Sequence, residues 1–84
     1  MNISGVLVRT FPRNIETVWR TLSALDGVEV HGANEDGRLV VTIEQHSETQ
    51  TSDLLLRMQD VPGVLSASMI YHQFEDLGQQ EAEQ

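Results

Sequence analysis

The chain has 84 residues, 39% of them apolar, with 13 acidic residues against five arginines, no lysine and no cysteine, and a net charge of −8. That length holds one domain and excludes a two-domain enzyme or a large cofactor cleft. The missing cysteines remove disulfides, thiolate metal sites and thiol nucleophiles, and the acidic balance argues against a nucleic-acid partner and for a cationic one. Ile3 to Arg9 is short, β-branched and apolar in both alternation phases, which predicts a central strand. Pro12 suits the first position of a helix. Ile15, Val18, Trp19, Leu22 and Leu25 then recur at helical spacing until Asp26-Gly27 stops the helix. Trp19 reads as a core residue on that stripe, and Phe11 as a hydrophobic staple for Ile15.

Val28 to His31 alternates as a strand with one wet face. Asn34-Glu35-Asp36-Gly37 is a hairpin turn, and Arg38 to Glu44 is the returning strand. Ser47-Glu48-Thr49-Gln50 has the form of a capping box opening a second helix to about Asp60, with Leu54, Leu55, Met58 and Val61 toward the core. Pro62-Gly63 ends it, and Val64 to Phe74 is the last strand. Leu25-Asp26-Gly27-Val28 and Val61-Pro62-Gly63-Val64 form a weak internal repeat. The order β-α-β-β-α-β predicts an α+β protein of the ferredoxin-like split β-α-β fold (βαββαβ). Its four-stranded antiparallel sheet has order 4-1-3-2 and carries two helices on one face.

Residues 1–75 read as this domain. Four of the 13 acids (Glu75, Asp76, Glu81 and Glu83) lie in the last ten residues, and residues 76–84 read as an acidic disordered tail. Met1–Ser4 has no basic residue, Gly5 to Val8 is too short for a signal-peptide core, and no apolar run approaches the roughly 20 residues of a membrane span. These features predict a cytoplasmic location without membrane insertion.

The sheet face opposite the helices is the place to look for function. In the third strand Leu39, Val41 and Ile43 suit the core, leaving Val40, Thr42 and Glu44 outside. In the fourth, Leu65, Ala67, Met69 and Tyr71 suit the core, leaving Ser66, Ser68, Ile70 and His72 outside. For the first strand either set could face inward. The open face is assigned Ile3, Gly5, Leu7, Val40, Thr42, Ser66, Ser68, Ile70 and His72, with Glu29, Asp36 and Glu44 as an acidic rim and His31 on one flank. Gly5, Ser66 and Ser68 would leave a shallow trough. An amphipathic peptide could lay apolar side chains there and point cations at the acids. A homodimer through the same face would draw on the same features.

No catalytic or metal constellation emerges. His46 lies in a polar loop, and His31 and His72 fall on opposite sheet edges. There is no Gly-rich phosphate loop, no supported Ser-His-Asp grouping, and Glu35-Asp36 sits in a turn. An RNA-recognition module of this topology would need stacking aromatics among basic surroundings. A copper chaperone would need a Cys-x-x-Cys, and an acylphosphatase an anion loop, for which Thr10-Phe11-Pro12-Arg13 is a poor candidate. The chain reads as a non-enzyme with no cofactor.

Pro62 to Gln73, closing on Tyr71-His72-Gln73, resembles the C-terminal strand of NapD-type proteins. Gly37 to Glu44 is similar to that family's third strand, Gly27 to Val30 to its second, and Ile3 to Val8 to its first, so the resemblance spans about residues 2 to 75. Asp26 stands where the family often has Pro, and Gly5 where Ser is common. The resemblance implies a cytosolic, non-enzymatic chaperone of ferredoxin-like fold. It would bind the twin-arginine signal peptide of the periplasmic nitrate reductase catalytic subunit and restrain export until the molybdenum cofactor is inserted. It also links His72, read as a peptide contact, and Tyr71, read as structural. Leu7, Val40 and Ile70 would supply most of the affinity, and Glu29, Glu44 and Asp36 would orient the arginines. An ACT-like small-ligand regulatory domain of the same topology is the alternative.

Overall fold

The computed structural model describes residues 2–74. Strand β1 (Asn2–Thr10) leads through a single 3₁₀ turn (Pro12–Asn14) into helix α1 (Ile15–Ser23). Strands β2 (Val28–Ala33) and β3 (Arg38–Gln45), helix α2 (Glu48–Gln59) and strand β4 (Val64–Phe74) follow. The strands form one antiparallel sheet in the order β2-β3-β1-β4, the split β-α-β arrangement expected from the sequence. The acidic segment 76–84 lies outside the described residues. No helix among those described is long and apolar enough to cross a membrane.

One face of the sheet meets both helices. Val6, Val8, Leu39, Val41, Ile43 and Ala67 pack there against Val18 and Leu22 of α1 and Leu54 and Met58 of α2. Ser4, Val6, Val8 and Thr10 are all buried, which fixes the phase of β1 that alternation left open. Val18 and Leu22 form the centre of the α1 stripe. Trp19, expected in the core, is 36% exposed. It follows Val18 by one residue, about 100° around the helix, and so falls at the stripe's margin. Phe11, expected as a staple, is exposed and carries the Arg13 guanidinium 4.6 Å from its ring centroid.

The local signals act as their chemistry dictates. Ser47 Oγ accepts from the Gln50 amide at 3.1 Å, capping α2. Asn34 Oδ1 accepts from the amides of Asp36 and Arg38, and Gly37 closes the hairpin at φ +94°. The repeated helix-to-strand device is real. The Val28 amide donates to the Leu25 carbonyl and the Val64 amide to the Val61 carbonyl, each over a glycine with positive φ, Gly27 or Gly63. That is the demand of a turn with a left-handed third residue. The Thr10 hydroxyl donates to the Gly63 carbonyl at 2.6 Å and ties β1 to the second of these turns.

Three irregularities interrupt the ladders. One residue on β2 (His31) and two on β4 (Leu65 and Ile70) have no partner across the strand pair. Each inserts one residue on an outer strand and reverses the alternation beyond it.

Candidate functional site

With Ser4, Val6, Val8 and Thr10 turned to the helices, Ile3, Gly5, Leu7 and Arg9 line the uncovered face. The register then builds that face in rows. Glu29, Thr42, Gly5 and Tyr71 form one row across all four strands. Gly32, Val40, Leu7 and Ser68 form the next, and Arg38, Arg9 and Ser66 a third. Glu44 pairs with Ile3 beyond the first row. Val40 is 47% exposed and Ile70 55%, while Ile3, Leu7 and Thr42 are half-buried. An aliphatic surface therefore lies open, with no element over it among the described residues. His31 sits at the β2 bulge on the same face, and its Nε2 lies 2.7 Å from Thr42 Oγ1.

The structure corrects the expected phase of β4. Ser66 and Ser68 do face outward, opposite Arg9 and Leu7. The extra residue at Ile70 then shifts the register, so Tyr71 pairs with Gly5 and His72 with Ser4. Cross-strand partners share a face. Tyr71, expected in the core, therefore belongs to the open face and is half exposed. Position 72, assigned to the open face, takes the register of the helix-covered side; the His72 side chain lies outside the described residues. Leu65, also expected inside, is 57% exposed at the second β4 irregularity. Met69 is opposite Val6 on the helix side but remains 39% exposed at the sheet edge, where it lines a 230 Å³ cleft with Glu48, Thr51 and Ser52.

The trough expected at Gly5 is occupied. A Cβ added to Gly5 would collide with Cε2, Cδ2 and Cζ of Tyr71, so the ring lies across the glycine and buries it. The acidic rim is also not continuous. Glu29 and Glu44 lie together at one end of the face. Asp36 lies in the β2–β3 turn at the other end, beside Arg38, which is paired directly with Arg9. Glu44 lies six residue steps along β3 from Arg38, about 20 Å. The face is thus polarised, acidic at one end and basic at the other. The tyrosine and the arginine pair were missed as site residues. Arg9 shares an alternation set with Leu7, which was the available signal for it, whereas a bulge leaves no mark in the hydrophobic pattern.

Among the described residues, no group of three or more His, Asp or Glu side chains is placed to hold a metal. A polar groove of about 450 Å³, lined by Leu25, Asp26, Gln50, Asp53 and Arg57, lies on the helix side away from the aliphatic face.

The NapD protein family model matches residues 1–76. The proteins named Chaperone NapD from Escherichia coli (strain K12) and Shigella flexneri are each 27% identical over 79 residues, covering 93% of this chain and 91% of theirs. The solution structure of the E. coli Tat proofreading chaperone protein NapD superposes with a TM-score of 0.79 at 27% identity, covering 90% of this chain and 81% of that one. A transcriptional regulatory protein of the ASNC family from Pyrococcus furiosus shares the fold, with a TM-score of 0.72 at 17% identity over 89% of this chain and 52% of its own. The chain belongs to the NapD protein family and is, like its named relatives, a chaperone and not an enzyme.

Proposed function

We propose that the open sheet face captures the twin-arginine signal peptide of a periplasmic nitrate reductase catalytic subunit in the cytoplasm. Capture holds the precursor back from export until its molybdenum cofactor is inserted. The observation that carries this reading is the uncovered aliphatic surface of half-buried Ile3 and Leu7 with exposed Val40 and Ile70, and with carboxylates grouped at one end. A twin-arginine leader is basic at one end and apolar after it, which complements such a surface in shape and sign. The leader orders on binding, so part of the apolar gain offsets lost chain entropy. No covalent chemistry is involved: the chaperone acts by occupying the leader and competing with the export machinery.

The test is a titration of a synthetic leader peptide into labelled protein, followed by amide shifts. Changes confined to β1, β3 and the open-face positions of β4 are expected. Changes on α1 and α2, or none, would overturn the assignment of the face. A stable dimer whose melting temperature responds to amino acids, with no response to the leader, would instead favour the small-ligand regulatory reading.

A further inference from the structure

The ring of Tyr71 lies where a side chain at position 5 would be, so it covers β1 rather than standing over its own strand. It is half exposed, and a solvent-facing π surface is left at the centre of the sheet. Glu44 pairs with Ile3, two residues from Gly5 along β1, which puts it about 8 Å from the covered glycine. Glu29 ends the row that contains Thr42, Gly5 and Tyr71. The Thr42 hydroxyl between Glu29 and Gly5 is engaged by the His31 imidazole, which borders the spot together with the two carboxylates.

An aromatic face bordered by carboxylates suits a guanidinium. The plane stacks on the ring, and its N–H groups reach the acids. This chain makes the same kind of stack internally, with Arg13 over Phe11. Arg9 and Arg38 lie four residues away along β1 and β3, about 13 Å, and repel a cation from the opposite end. We infer that Tyr71, laid across Gly5, is the aromatic floor of a guanidinium subsite walled by Glu29 and Glu44. It seats one arginine of the bound peptide and so sets which end of the peptide lies at that end of the sheet. The inference rests on the peptide-capture reading above and adds a specificity residue to it.

The test is a double-mutant cycle by calorimetry on the full chain. Wild type, Tyr71→Phe and Tyr71→Leu are each titrated with a synthetic leader and with leaders in which each arginine in turn is alanine. Tyr71→Phe keeps the ring and is expected to bind within twofold of wild type. Tyr71→Leu is expected to lose about two- to fivefold in affinity for the native leader. That loss should vanish for the leader lacking the seated arginine. Equal losses for all leaders would overturn the subsite while leaving peptide capture intact. Failure of wild type to bind the native leader would overturn the capture reading, and the subsite with it. A measurement on wild type alone guards against misfolding of the leucine variant. The ring protons of Tyr71 should shift with the native leader and stay within noise for one of the alanine leaders; equal shifts with all three would again overturn the subsite.

Discussion

Val40→Asp tests the open face most directly. Val40 is 47% exposed on the central strand β3, opposite Leu7 and Gly32. Complete burial of such a side chain is worth about 1.5–3 kcal/mol, so covering the exposed half contributes about 0.7–1.4 kcal/mol. The aspartate forfeits that contact, and its carboxylate loses hydration under an apolar peptide, an added cost of about 1 kcal/mol or more. The expected sum is about 2 kcal/mol, close to a thirtyfold rise in Kd by calorimetry against the leader. The fold should survive. Position 40 packs nothing against the helices, and strand propensities span only about 1 kcal/mol. A fall in Tm of about 4–8 °C is expected on that account. An aspartate variant that melts as expected and binds within twofold of wild type would refute the placement of the peptide on this surface.

Other consequences are measurable without a ligand. Gly5→Ala should evict the Tyr71 ring and cost about 1–3 kcal/mol in urea unfolding, and most of that loss should disappear in a Tyr71→Ala background. Leu22→Ala removes a fully buried side chain between α1 and the sheet and should cost about 2–5 kcal/mol. Ser47→Ala deletes the acceptor for the Gln50 amide and should cost about 1 kcal/mol, with loss of protection in amide exchange confined to the first turn of α2.

The element order and strand order were legible because the apolar period switches cleanly between about two and 3.6, and each switch coincides with a glycine, a proline or a cap. Leu39, Val41 and Ile43 could be assigned inward because β3 pairs without interruption against β1 on the side that matters. The same reasoning failed on β4 past Ser68. Alternation carries phase only along an unbroken ladder, and the extra residue at Ile70 exchanges the faces of Tyr71 and His72. Trp19 failed for another reason. In a helix of nine residues the buried stripe is narrow, and only Val18 and Leu22 are fully enclosed. The charges of the site were legible as residues but not as an arrangement. Asp36 is close to Glu29 in sequence, yet the hairpin carries it to the far end of the sheet beside Arg38.

The inserted residues at His31, Leu65 and Ile70 fall on β2 and β4, the two outer strands of the sheet among the described residues. A strand with an open flank is a template on which any extended chain can zip up, its own copies included. An extra residue throws successive amides and carbonyls out of step, so a newcomer finds no straight run of partners. Both margins of this small protein are thereby blunted against ribbon growth, and an unfolded visitor is turned from the borders toward the broad aliphatic floor.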